Sequence, residues 1–215
     1  MNLGKFFKDR NDAGKQLAKK LLQYKGKDCI VLALPRGGVI IGYFVAQILK
    51  CSLDVVVARK LGAPFNPEFG VGAIAPGGVT VLDQASIRAL GIRQEDLGRV
   101  VIDETAEMKR RIKLYRGSRP PLDLKNKIAI LVDDGLATGV TARAAIDFIK
   151  AQKPKKLILA VPVAAADTAS QMRELVDEFV CLLTPVDFMA VGLWYESFEQ
   201  VTDEEVVKIM KEYKA

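Results

Sequence analysis

The run Ile128-Ala129-Ile130-Leu131-Val132, continuing into Asp133-Asp134-Gly135-Leu136-Ala137-Thr138-Gly139-Val140-Thr141, constrains this chain more than any other segment. Five consecutive apolar residues, three of them β-branched, predict a strand buried on both faces, as in parallel sheets, and the apolar spacing from Ala144 through Phe148 and Ile149 predicts a helix directly after it. A short loop joining a strand's carboxyl end to a helix's amino end is an anion site, because free backbone N–H groups and the helix dipole converge there. Gly135 and Gly139 let the backbone approach a phosphate, and Thr138 and Thr141 add hydroxyl donors. Asp133 and Asp134 are out of place beside a bare anion; sugar hydroxyls or the water shell of a metal would suit them, and a solvated Asp-Asp-Gly turn is the plain structural alternative. The stretch lacks the Gly-Lys-Ser/Thr ending of a Walker loop and is not a Gly-x-Gly-x-x-Gly turn.

The same design occurs earlier. Cys29-Ile30-Val31-Leu32-Ala33-Leu34 predicts a first buried strand, followed by Pro35-Arg36-Gly37-Gly38 and an apolar helix from Val39 to about Leu49. Leu53 to Ala58 predicts another strand, ending in Arg59-Lys60. Gly62 to Gly70 is dense in turn formers and predicts an irregular loop, and Val71–Ala75 with Val79–Leu82 predicts a hairpin. A long charged helix is predicted from about Gln94 to Tyr115, broken by Pro120-Pro121. Two later strands, Lys156–Val163 and Phe179–Leu183, flank a helix near Asp167–Val176. Alternating strands and helices give an α/β fold with a parallel sheet flanked by helices. Asn11 or Asp12 caps a first helix with Ala13, Leu17 and Leu21 on one face, and Thr202-Asp203-Glu204-Glu205 is a capping box for a closing helix.

Composition removes whole classes of chemistry. The chain has no histidine, so Ser-His and Cys-His catalysis and imidazole metal sites are unavailable. Cys29, Cys51 and Cys181 stand apart in apolar surroundings without metal-ligand spacing, which predicts reduced core thiols. No leader pattern opens the chain and no segment reaches the ~20 apolar residues of a membrane span, so a soluble cytoplasmic protein of one domain is expected. The net charge of +6 favours anionic partners. Part of that excess is local: Lys109, Arg110, Arg111, Lys113, Arg116, Arg119, Lys125 and Lys127 are opposed only by Asp123, a solvated helix face and linker in preference to an RNA contact, since no aromatics are interleaved.

The apolar strand, acidic pair and Thr-Gly-x-Thr loop of Ile128 to Thr141 resemble the 5-phosphoribosyl 1-diphosphate (PRPP) motif of the type I phosphoribosyltransferases. The resemblance covers the core motifs and, loosely, the whole length. It implies one phosphoribosyltransferase domain over 1–215, with a parallel-sheet core from about 25 to 183 and a small hood from about 1–24 and 184–215 that selects the acceptor. It further implies that Leu136, Ala137, Thr138, Gly139, Val140 and Thr141 hold the 5′-phosphate, and that Asp133 and Asp134 anchor the ribose hydroxyls. Arg36, Gly37 and Gly38 hold pyrophosphate, helped by Lys60 with Arg59 in reserve, although charges that merely end a strand remain a competing role for these two.

On the same resemblance, the Gly62–Gly70 segment corresponds to a lid from which Glu68 would assist proton transfer. Phe188 and Trp194 would either stack on the acceptor base or form the hood's own core. Mg2+ would be carried by PRPP, reaching Asp133 and Asp134 at most through water. The implied activity is transfer of the phosphoribosyl group to a nitrogen acceptor, a nucleobase in nucleotide salvage, by a homodimer. The hypoxanthine–guanine branch carries an Asp where this chain has Ala137, so the loop is more similar to the adenine and uracil branches. Two readings compete: a non-catalytic PRPP-sensing regulator that uses the basic stretch on RNA or DNA, and a phosphatase-type site in which the two acids bind metal directly.

Overall fold

The structure is a computed structural model and describes residues 6–213. Its frame is a five-stranded parallel sheet built from β1 (Cys29–Ala33), β2 (Ser52–Val55), β6 (Ile128–Val132), β7 (Lys156–Val163) and β8 (Glu178–Leu183), in the order β2-β1-β6-β7-β8. The unbroken apolar runs read in the sequence are buried on both faces. Val31, Ala33, Ile130 and Val132 enter one core cluster, while Ile30, Leu32, Ala129 and Leu131 enter the other. Helices α1 (Arg10–Lys20) and α2 (Gly37–Leu49) cover the first face, and α5 (Val140–Ala151) and α6 (Ala166–Arg173) contribute to the second.

The strand order reverses between β1 and β6, which pair with Ala33 opposite Val132. From β1 the chain winds outward to β2; from β6 it winds the other way to β7 and β8. Open parallel sheets bind ligands in the crevice at the carboxyl ends of the strands flanking such a reversal. The two glycine loops leave the sheet there.

A second, antiparallel sheet of β3 (Arg59–Ala63), β4 (Asn66–Ala75) and β5 (Val79–Leu82) packs Ala73 and Ala75 into the cluster that contains α5. This corrects the expected irregular loop over Gly62–Gly70 and the strand expected to run to Ala58. The parallel strand ends at Val55, Arg59 opens β3, and residues 62–70 complete a hairpin with Gly62 opposite Gly70 and Ala63 opposite Asn66. Register shifts on both sides of Gly62 hid the alternation, and a Cβ at Gly62 would lie 2.4 Å from the Pro67 carbonyl oxygen, so the glycine serves close strand approach. A short helix, α3 (Gln84–Ala89), capped by Asp83, went unread.

The terminal segments pack on each other. Phe7 donates its amide to the Trp194 carbonyl at 3.1 Å and bridges Tyr195, and Phe6 stacks on Trp194 with ring centroids 5.5 Å apart. The α1 cap is Asp9, which accepts from the Asp12 amide, so the helix begins two or three residues before the expected Asn11 or Asp12. The capping box of α7 (Asp203–Glu212) forms as read: Thr202 accepts from the Glu205 amide and Glu205 from the Thr202 amide.

Helix α4 (Gln94–Arg116) explains the basic stretch. Arg110 and Arg111 pair with Glu107, and Arg116 grips the buried Asp54 with two bonds of 2.9 and 3.0 Å. Arg119 donates to the carbonyls of Leu53 and Met210, tying the linker after α4 to β2 and α7. Half of the eight basic residues therefore work inside the fold. Asp54→Ala should strand Arg116 in a dry site and cost about 3–5 kcal/mol, visible as a lower midpoint in urea unfolding.

Candidate functional site

Two strand-to-helix junctions lie side by side at the reversal. In the first, β1 runs through Leu34, whose amide donates to the Val132 carbonyl at 2.9 Å, into a cis Pro35–Arg36 peptide and then the amino end of α2, which no side chain caps. In the second, β6 runs through Asp133 and Asp134 to Gly139, and α5 begins without a side-chain cap as well. The leading amides of a helix have no partner within it, so each junction offers N–H donors and positive dipole to an anion.

Each loop's sequence is explained by the other. A Cβ on Gly37 would fall 1.8 Å from Asp134 Oδ2, and one on Gly38 would lie 3.0 Å from Asp133 Oδ1. The paired glycines of the first loop are small because the paired acids of the second occupy the space beside them. Gly139 adopts φ 69°, and a Cβ there would meet Met172 and Thr168 at 2.9 Å. Thr168 of α6 donates to the Ala137 carbonyl at 2.5 Å, holding the loop's outward bend. Ala137 and Thr138 are exposed and Val140 and Thr141 half-buried, whereas Leu136 and Gly139 are buried, so the loop meets solvent mainly through Ala137 and Thr138.

Asp133 and Asp134 are half-buried, and the Asp133 carboxylate turns back to accept from the Asp134 amide at 2.8 Å. Asp134 is held by two residues from the chain's ends that sequence reasoning missed. Arg10 of α1 donates from Nε to its Oδ2 at 2.7 Å, while the other arm of the guanidinium reaches the Glu199 carbonyl at 2.8 Å and its face lies 3.7 Å from the Phe198 ring centroid. Tyr195 donates its hydroxyl to the Asp134 main-chain carbonyl. Neither residue belongs to a motif, and Arg10 lies 124 positions from its partner, so no local pattern carried the signal.

Burial pushes the Asp133 carboxyl well above its ordinary value, and the charge of Asp134 adds to the effect. Burial raises Asp134 too, with Arg10 working against it. The pair thus divides into one acid with a guanidinium partner and one without. Burial pushes the Tyr195 phenol up, keeping it a proton donor, and the Asp134 charge helps.

The remaining candidates are placed unevenly. Arg36 stands beside the pair in sequence, but its guanidinium turns to Asp203 of α7, 3.6 Å away, where Asp203 also accepts from Tyr115 at 2.6 Å. Arg59 is engaged by Glu104 of α4 at 2.6 Å and Lys60 by the Glu68 carbonyl at 3.0 Å. Both line a cleft of about 370 Å³ between the β3–β4 hairpin and α4. In this structure they are hairpin residues bonded away from the acidic pair, as the extra strand β3 dictates. Trp194 is buried in the core cluster on the first face of the sheet, stacked on Phe6, and Phe188 is half-buried against the same cluster. Val191, from the same segment, lies directly over Gly135, where a Cβ would meet its Cγ1 at 2.5 Å.

The chain matches the family model described as the phosphoribosyl transferase domain over residues 7–196. It is 44% identical over 206 residues to a Mycobacterium tuberculosis (strain H37Rv) protein provisionally named a phosphoribosyl transferase, an alignment covering 96% of this chain and 46% of that one. The chain therefore spans about half the length of the first relatives it matches. Uracil phosphoribosyltransferase of Clostridioides difficile (strain 630) is 28% identical over 140 residues, 65% of this chain and 61% of that protein. Among solved structures, TT1426 from Thermus thermophilus superposes with a TM-score of 0.80 at 39% identity, covering 97% of this chain and 99% of that one. The AQ2163 protein from Aquifex aeolicus, at 13% identity and a TM-score of 0.51 over 81% of this chain and 74% of that one, shares the fold.

The raised Asp133 carboxyl gives a stability test. The folded state binds its proton more tightly than the unfolded chain, so this residue's contribution becomes less favourable as pH rises above about 4. Asp133→Asn should unfold at a higher temperature than the native protein at pH 7, and the advantage should disappear below pH of about 4. Calorimetry at the two pH values checks it.

Proposed function

Because this chain belongs to the phosphoribosyl transferase domain family, whose enzymes are pentosyltransferases, we propose that it transfers the 5-phosphoribosyl group of PRPP to a nitrogen of a nucleobase, releasing pyrophosphate. The observation that carries this reading is the contact of the two glycine loops at the sheet reversal, which sets two uncapped helix amino ends around one acidic pair. A substrate with a phosphate at one end, a diphosphate at the other and a hydroxylated sugar between them matches that order of donors and acceptors.

In this reading the 5′-phosphate sits on the amides and hydroxyls from Leu136 to Thr141, and the diphosphate lies along Arg36, Gly37 and Gly38. Asp133 and Asp134 accept from the ribose hydroxyls. Binding energy from both charged ends then orients the anomeric carbon between them. The acceptor nitrogen forms its bond to that carbon as the C–O bond to diphosphate breaks, the electron pair leaving with diphosphate. Positive charge grows on the sugar meanwhile, and the carboxylates beside it stabilise that charge. Arg36 would have to exchange Asp203 for the diphosphate, and its 3.6 Å separation is the loosest of the Asp203 contacts. Lys60 and Arg59 would reach the diphosphate only if the β3–β4 hairpin shifted, which makes that hairpin the proposed lid.

The donor set fits a magnesium ion carried by PRPP. Asp134 already shares its charge with Arg10, and no group of three or more acidic or cysteine side chains able to cage a metal occurs among the described residues. Asp133 and Asp134 would meet such an ion through its waters. Its chemistry is neutralisation of the departing diphosphate. The sharing of Asp134 with Arg10 speaks against direct metal ligation by the two acids, and the ion pairs of Arg110, Arg111 and Arg116 commit part of the basic stretch to the fold.

The hood favours a flat apolar acceptor. Val191 covers Gly135, and Phe188 offers a half-buried ring from the same segment. Trp194 is better suited to supporting that segment from beneath.

Incubation with PRPP, magnesium and a panel of nucleobases, read by mass spectrometry, should yield one nucleoside monophosphate and pyrophosphate. Asp134→Asn should lower turnover about 10²–10³-fold while the protein remains folded. Undiminished turnover in that variant would refute the assignment of the pair.

A further inference from the structure

The cysteines that stand apart in sequence do not all stand apart in the fold. β1 and β2 pair in parallel with Ile30 opposite Ser52 and Val31 opposite Leu53, so one step toward the amino ends Cys29 faces Cys51. Their side chains join the same core cluster as Val31 and Leu53, where the Cys29 thiol donates to the Tyr24 carbonyl at 3.7 Å. Paired strands lie ~4.8 Å apart, within the ~4.4–6.8 Å that separates the α-carbons of a disulfide. The site is at the end of the sheet opposite the glycine loops, where β1 and edge strand β2 begin, and each cysteine is 5% exposed among exposed neighbours: Lys27 and Asp28 beside Cys29, Lys50 and Ser52 beside Cys51.

From this juxtaposition we propose that Cys29 and Cys51 form a dithiol site that a small-molecule disulfide of the glutathione class converts to an intramolecular disulfide, fastening β2 to β1. The Cys29 thiolate attacks one sulfur of the oxidant, whose other sulfur leaves as a thiolate and takes up a proton. The Cys51 thiolate then attacks the Cys29 sulfur of the mixed disulfide and expels the second small thiol. Two protein thiols lose two electrons and two protons, and the oxidant becomes two thiols. Cys29 leads because its neighbour Cys51 holds its thiol below the ordinary range, while Cys29 and burial raise Cys51. Cys181 stays outside: burial pushes its thiol up to about 11, and it donates to the Leu183 carbonyl at 3.0 Å. The cross-link would close the loop that contains Pro35 to Gly38 and all of α2, leaving fewer conformations to the unfolded chain.

The test equilibrates the folded, reduced full chain with oxidised and reduced glutathione at rising ratio, alkylates free thiols and maps peptides by mass spectrometry. Alkylation should disappear from Cys29 and Cys51 together, with a cross-linked peptide lighter by two hydrogens, while Cys181 remains alkylated. Cys51→Ala should stop at a glutathione adduct on Cys29. Persistent alkylation of Cys29 and Cys51, a stable adduct on Cys29 in the native chain, or a link to Cys181 or to a second chain would overturn the proposal.

Discussion

Everything at the candidate site depends on the packing of Gly37 and Gly38 against Asp133 and Asp134. Two carboxylates crowded into a half-buried turn are an electrostatic burden, and the fold carries it only where two helix amino ends point inward and a guanidinium stands alongside. The sheet makes this possible. Between β1 and β6, where the winding direction changes, the two glycine loops leave neighbouring strand ends and lie next to each other. The unbroken apolar runs, the glycine pairs and the acidic pair are therefore parts of one solution.

The elements most legible in the sequence were those whose signal is local. The apolar runs of β1, β6 and β7 needed no partner to be recognised, nor did the Gly-Gly and Thr-Gly loops or the Thr202–Glu205 capping box. Illegible were the arrangements that depend on distant partners. The β3–β4 hairpin carries Pro64, Pro67 and a bulge at Gly62, which erase the period-two pattern, so its strands read as a loop. Arg10 and Tyr195 are unremarked in their own neighbourhoods and acquire meaning only through Asp134. Cys29 and Cys51 became neighbours through the β1–β2 register, which no spacing rule would have revealed.

The basic run before β6 shows how charge counted along a sequence can mislead. Read linearly it is opposed by one acid, Asp123; folded, it meets Asp54, Glu107 and Asp203 from three elements. Asp203 joins Arg110 and Tyr115 of α4 to Arg36 of the first glycine loop. The closing helix is thereby linked electrostatically to the loop proposed for diphosphate.

Arg10 spans almost the whole chain: its guanidinium bonds a side chain 124 positions away and a main-chain carbonyl 189 positions away. Contacts of such separation carry a larger loop-closure cost than local ones, and the second cannot exist until the chain has been made past Glu199. The sheet and its two loops can be assembled earlier, from residues up to β8. Arg10 can meet Asp134 as soon as the second glycine loop exists, but its guanidinium gains the main-chain anchor on its other side only once the segment around Glu199 has folded over it.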